Sequence, residues 1–289
     1  MNKRSGLLIL ISILCFGSGL LRAAETEVSP WSVSAGLSAL DFGYTEYSES
    51  GHVLDEENGW LKGFKTRLEH TWRESAYFAS IEALYLSGTV QYDGRTQIGT
   101  PVEARTDESI IDLLTLAGFR NCSLLDRCIR LYAGLGYHYW KRLIHSAYTK
   151  TSSPQPVAGI LEYYNWTYAT MGIRVPVLKQ TQDEGLELDF RLNYMLQAQM
   201  EINFLGYREY DNAKFDLGED WGIYLGVAYR TSLAKGYIIL IEPYYEQWDI
   251  KKSNSVEVTR SGAPTGVRFS EPASETRNYG INFSVQMVF

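Results

Sequence analysis

The sequence predicts an all-β protein, a closed antiparallel barrel of about ten membrane-crossing strands, on three observations. Period-two alternation of apolar and polar residues recurs in segments of about ten to fifteen residues, the length a tilted strand needs to cross a bilayer. Past residue 24 no apolar run approaches the ~18 residues of a spanning helix, and the mean hydropathy is −0.20. Aromatic residues make up 13% of the chain, with 21 Tyr and 7 Trp, and such amphipathic rings collect at the two lipid interfaces of a barrel.

Residues 1–24 read as a signal peptide. Lys3 and Arg4 supply the positive start, Leu7 to Phe16 the apolar stretch, and Leu21-Arg22-Ala23-Ala24 ends in small residues. Leu14 stands where a lipid-modified Cys15 would need a small neighbour, so no lipidation is expected. Removing Lys3, Arg4 and Arg22 takes the formal charge from −7 to −10, a balance that argues against nucleic acid as a partner. Residues 25–289 then form one barrel, with no second domain, long repeat or low-complexity tract.

Alternation places strands at 31–44, 60–72, 76–92, 108–120, 129–142, 161–175, 186–200, 221–232, 237–248 and 277–289. The fourth also matches a helical spacing through Ile110, Leu113, Leu114 and Ala117. It is read as a strand because period two gathers Glu108, Asp112, Gly118 and Arg120 on one face. The clearest is the seventh, where Leu186, Leu188, Phe190, Leu192, Tyr194, Leu196, Ala198 and Met200 are expected to face lipid. An even count returns both termini to one side. Short connections at 73–75, 121–128, 176–185 and 233–236 alternate with long ones at 45–59, 93–107, 143–160, 201–220 and 249–276. In the oxidising compartment that a secreted chain enters, Cys122 and Cys128 are expected to form one local disulfide on a short turn. No further Cys or His lies close enough to make them a metal site, and no cofactor motif is present.

The final strand sets Tyr279, Ile281, Phe283, Val285, Met287 and Phe289 against Asn278, Gly280, Asn282, Ser284 and Gln286. A last amphipathic strand that ends in Phe resembles the terminal signal of bacterial outer-membrane barrels. The resemblance implies residence in the outer membrane with long loops facing the exterior and Phe289 as an assembly signal. Membrane lipid, lipopolysaccharide and the barrel assembly machinery are then the implied partners.

Assigning the polar phase of each strand to the lumen gives Lys65, Arg67, Arg120, Arg130, Arg174, Arg191 and Arg230. Against them stand Glu69, Glu82, Asp112, Glu162, Glu187, Asp189, Glu242 and Glu246. Ten strands leave little free bore, so side chains of both signs are expected to pair and plug it. Aligning Cys122 with Cys128 pairs positions that sum to 250, which sets Asp112 opposite His138. A carboxylate holding an imidazole is half of a general-base device and equally an ordinary cross-strand pair. Asp112 and His138 are therefore the candidate catalytic residues of a site with no identifiable nucleophile, and the protein is expected not to be an enzyme. The same alignment sets Arg120 opposite Arg130, which requires either an intervening acid, such as Glu187 or Asp189, or a shift of register.

Ten strands, a charged lumen and this length resemble the omptin-like barrels, a group of surface proteases and adhesins. The omptin proteases carry an Asp-x-Asp and an Asp-x-His pair at the rim. Neither pattern occurs in this sequence, so no catalytic residue carries over.

Two expected loops are acidic. Glu46, Glu49, Asp55, Glu56 and Glu57 in the first, and Glu201, Glu209, Asp211, Asp216, Glu219 and Asp220 in the fourth, are expected to be solvated surface. Tyr137, Tyr139, Trp140, Tyr163, Tyr164 and Trp166 are expected in the interface girdle. The leading functional expectation is a plugged surface barrel that displays acidic loops for binding, adhesion or an envelope structural role. The alternatives are a narrow small-solute channel and an outer-membrane protease or lipid-modifying enzyme. If Phe289 is an assembly signal, deleting it lowers the amount of protein inserted several-fold and barely moves the denaturation midpoint of what is inserted. Unchanged insertion would refute that role.

Overall fold

A computed structural model describes residues 31–72, 75–96, 99–122, 128–177 and 184–289. The expected signal peptide and the centres of three of the four expected short turns lie outside the described residues. Ten long strands make the wall. They are β1 (Trp31–Tyr47), β2 (Val53–Thr71), β3 (Tyr77–Arg95), β4 (Pro101–Asn121) and β5 (Ile129–Ile144). The second half comprises β6 (Ile160–Pro176), β7 (Glu184–Asn203), β8 (Trp221–Ala234), β9 (Tyr237–Ile250) and β10 (Ala273–Val288). Each pairs antiparallel with its sequence neighbours, and β10 returns to β1, with Leu37 opposite Phe283. The sheet is thereby closed.

The fourth segment is a strand along its whole length. At the end carrying the chain termini, the turn end, every strand stops within two residues of its expected limit. At the opposite, loop end, strands run on by as much as seven residues, as β2 does from 60 down to Val53. The extension hides from a lipid-facing pattern because both faces become polar there. In β2, Glu56 and Asn58 point out while Asp55 and Glu57 point in.

Below that level the outward face is apolar. Tyr279, Ile281, Phe283, Val285, Met287 and Phe289 are all exposed on one side of the last strand. Ten residue steps cover about 33 Å along a strand and about 25 Å along the axis at a tilt of about 40°, the height of a transmembrane barrel's apolar band. The inward rows form the core of the molecule.

One strand departs from simple alternation. Thr167 pairs with Gln197 and Tyr168 with Met195, so Leu196 is an extra residue in β7. A bulge of this kind moves all later side chains to the other face. Met195, Ala198, Met200 and Ile202 are buried inside, and Gln197, Gln199 and Glu201 point out. The expected lipid face is thus correct through Tyr194 and inverted at Ala198 and Met200.

Between the strands, the loop end carries its own structure. The strand Ala213–Leu217 pairs with the outer half of β7, and Val256–Arg260 forms a hairpin with Ala263–Phe269. Their apolar side chains meet: Phe204 lies 5.4 Å from both Tyr210 and Phe269, ring centre to ring centre. Asp211 staples the hairpin by accepting from Thr259 Oγ1 and the amides of Ser261 and Gly262 at 2.6, 3.2 and 2.9 Å. At the turn end, the β8–β9 connection closes through Gly236, whose φ of 81° favours glycine.

The outward band yields a test by substitution. Phe283→Arg is expected to destabilise the barrel in lipid vesicles by ~2–4 kcal/mol, as a cation near the bilayer centre does. Gln247→Arg, above the band, should change it by less than ~0.5 kcal/mol. Equal effects in urea titrations would place the band elsewhere.

Candidate functional site

The lumen is filled in three tiers, each built where the inward phase of several strands meets. The lowest, near the turn end, is the expected ion-pair plug. Arg174 reaches Glu82 and Asp189 at 3.1 and 3.0 Å, and Arg191 reaches the same two acids at 3.3 and 2.8 Å. Lys65 pairs with Glu242 at 2.9 Å, and Glu69 bridges Arg67 and Arg130 at 2.6 and 2.8 Å. Arg120, Glu187 and Arg230 share this inward phase. Aromatic faces complete the cations' surroundings, with Arg174 over Tyr132 at 5.0 Å and Arg191 over Tyr224 at 4.5 Å. Arg174 is 1% exposed.

The register through this tier follows the disulfide. Cys122 and Cys128 are bonded, and Arg120 faces Arg130, which in turn faces Arg174. No shift relieves the repulsion. Glu69 from β2 does so across the lumen, 2.8 Å from Arg130, the expected Glu187 adds its negative charge beside Arg130, and Asp189 serves Arg174.

The middle tier contains the candidate dyad. His138 Nδ1 lies 3.0 Å from Asp112 Oδ2, and Tyr168 donates to Asp112 Oδ1 at 2.9 Å. Gly136 makes room for this arrangement, since a Cβ there would fall 2.1 Å from the ring of Tyr168. The imidazole stacks on Trp166 at 4.1 Å. Beside the dyad a cavity of about 60 Å³ is lined by Asp112, His138, Tyr168, Asn193, Tyr244 and Glu246. At ~15 Å³ per water centre that is room for about four waters and too little for a lipid or peptide substrate.

Apart from Glu162, the upper tier falls outside the expected network. Arg142, 1% exposed, sits among Glu46, Asp55, Glu57, Glu108 and Glu162, all buried. Its guanidinium donates to Glu57 through Nε and Nη2 at 3.1 Å each, to Glu46 at 3.1 Å and to Glu162 at 2.8 Å. Thr106 donates to Glu57 at 2.6 Å, and the indole of Trp140 donates to Glu108. Glu271, from the segment joining β9 to β10, enters from above and accepts from Tyr164. Burial, then the nearby Glu46 and Glu162 carboxylates, push the Glu271 carboxyl well above the usual range.

Three expectations are corrected by this tier. Glu46, Asp55 and Glu57 are not solvated loop acids, because β1 and β2 continue through them and turn them inward. Glu162 serves Arg142 rather than the lower plug. Of the aromatics assigned to the girdle, Trp140, Tyr164 and Trp166 are at most 1% exposed and fill the lumen, whereas Tyr137, Tyr139 and Tyr163 face out. Arg142 lies within the expected fifth strand, on the even-numbered phase of Arg130 and His138, so carrying that phase to the strand's expected end marks it. Nothing local marks Glu271.

A second imidazole and carboxylate meet on the outer wall, where His145 Nε2 lies 2.8 Å from Asp107 Oδ2 and the pair is about half exposed. The Thr89 hydroxyl donates to the same carboxylate at 2.6 Å. Such an exposed pair contributes little and is read as surface structure.

No protein-family model matches this chain, and no curated protein matches it in sequence. Among solved structures it is similar to the outer membrane protease OmpT from Escherichia coli, with a TM-score of 0.62 at 10% identity. That likeness covers 91% of this chain and 97% of the other. The translocator domain of the autotransporter NalP from Neisseria meningitidis has a TM-score of 0.44 at 10% identity, over 92% of this chain and 90% of that domain. The outer membrane protein OprG from Pseudomonas aeruginosa has a TM-score of 0.37 at 9% identity, over 91% and 96%. The fold is that of the outer-membrane β-barrels.

The lower tier makes a measurable claim. Arg174→Met leaves Glu82 and Asp189 short of a buried partner and is expected to cost ~3–5 kcal/mol in denaturant titrations. Lys214→Met removes only an exposed pair with Glu201 and should cost under ~1 kcal/mol. Equal, small losses would mean that the lower tier is hydrated and weakly coupled.

Proposed function

We propose that the chain resides in the bacterial outer membrane with its loop end outside, and that it works there as a surface-binding barrel rather than as a conduit. One observation carries the reading: two separate tiers of buried charge, centred on Arg174 and Arg142, occupy the lumen one above the other. A solute would have to break several short ion pairs in each. The loop end offers a folded, acid-rich surface instead, with the stapled hairpin at its top. Membrane lipid, lipopolysaccharide and the assembly machinery are the partners this location requires.

OmpT is a protease by name, but the omptin sequence pairs are missing from this chain. The Asp112–His138 dyad faces a cavity of only about 60 Å³. A non-enzymatic role fits both facts. Planar-bilayer recording of the refolded, full-length protein tests the proposal. The expected record shows no steady conductance at neutral pH; a steady, solute-dependent conductance would establish the channel reading in its place.

A further inference from the structure

The upper tier is far from electroneutral. Glu46, Asp55, Glu57, Glu108, Glu162 and Glu271 are each at most 8% exposed. Among the described residues, the one cation within ion-pair distance of any of them is Arg142, which reaches Glu46, Asp55, Glu57 and Glu162. Six buried carboxylates around one guanidinium cannot all be ionised, because burial strips their hydration and one positive charge does not offset their mutual repulsion.

Counting donors leads to the same deficit. The single hydroxyl proton of Tyr44 lies between Glu46 Oε1 at 2.8 Å and Glu271 Oε1 at 3.3 Å. That of Tyr164 lies between Glu271 Oε1 at 2.6 Å and Glu162 Oε2 at 3.4 Å. Two protons therefore serve four acceptor contacts. Glu108 Oε1 and Asp55 Oδ1 are buried without any hydrogen-bond donor. The acids are not grouped in a geometry that could hold a metal ion.

Glu271 differs from the other five in standing on a connection rather than on the wall. Its amide donates to Ser253 Oγ at 2.7 Å and its carbonyl accepts from the Ser253 amide at 3.0 Å, which cinches the base of residues 253–271. Both tyrosine hydroxyls approach the same oxygen, Oε1, as they would a carboxylic acid's carbonyl, leaving Oε2 to hold a proton.

We propose that the upper tier shares protons among its carboxylates and that neutral Glu271 latches residues 251–272 onto the lumen mouth, releasing them as pH rises. The groups around Glu271 are Tyr44 and Glu46 of β1, Arg142 of β5, and Glu162 and Tyr164 of β6. Asp55 and Glu57 of β2, Tyr92 of β3 and Glu108 of β4 complete the same tier. A carboxyl whose pKa is raised in the seated state stabilises that state fully at low pH and loses this contribution as pH climbs through the raised value. Release therefore comes on the alkaline side of the ordinary carboxylate range. The latch does not depend on what the loops bind.

The experiment is hydrogen–deuterium exchange of the refolded, full-length protein between pH 5 and pH 9, corrected for the chemical exchange rate. Protection of residues 251–272 is expected to fall at least tenfold with rising pH, while turn-end strand amides keep theirs. Glu271→Gln retains Oε1 and replaces the acid proton with an amide donor, so it should stay protected at high pH. A flat wild-type profile overturns the latch, even if the variant does not refold. So does a Glu271→Gln profile identical to wild type. Restoration of protection by calcium or magnesium at pH 9 would overturn proton occupancy in favour of a metal cation.

Discussion

Closure of the sheet, with β10 hydrogen-bonded to β1, is the constraint from which the remaining structure follows. A ring has no edge, so the wall strands satisfy their backbone groups on one another without needing water. The ring also encloses a space of fixed width that inward side chains must fill from all sides. Partners therefore come from across the bore as readily as from the next strand. This is how Arg120, Arg130 and Arg174 can stand in one row of adjacent strands. Glu69 reaches Arg130 from β2, and Asp189 reaches Arg174 from β7.

The two ends of the lumen solve that filling problem differently. Near the turn end, where the wall is apolar outside, cations and acids interleave, and Arg67, Arg174 and Arg191 each reach two carboxylates or more. Near the loop end, where the wall is polar on both faces, the acids outnumber their one cation. Between them lie the dyad, its tyrosine and the small cavity. The excess thus lies where protons have the shortest route to bulk water, and where connecting segments rather than wall residues complete the enclosure.

Much of the wall was legible because one rule governs it. Lipid on one side and polar contents on the other impose period two, and ten segments obeyed it, including the ambiguous fourth. The pairing of Asp112 with His138 followed from a disulfide and simple counting. Legibility ended where lipid did. Above the band, Glu56 and Glu57 differ only in which side of the wall they occupy, and hydropathy is blind to that. Trp140 and Tyr139 present the same difficulty as neighbours of one chemical kind facing opposite ways. Glu271 could not be found at all, since its position depends on the path of a connection and on two tyrosines distant in sequence.

Leu196 has a consequence for anyone comparing this chain with distant barrels. A single inserted residue lets β7 obey two rules of orientation, odd positions inward before it and even positions inward after it. Hydropathy alone would align relatives across this point in a false frame, scoring Met200 as a lipid contact and Gln199 as a lumenal group. The error would then propagate to every residue up to Asn203, although the backbone would still superpose. Insertions and deletions at Leu196 are therefore the changes by which relatives could exchange a polar outer rim for an apolar one without altering strand number.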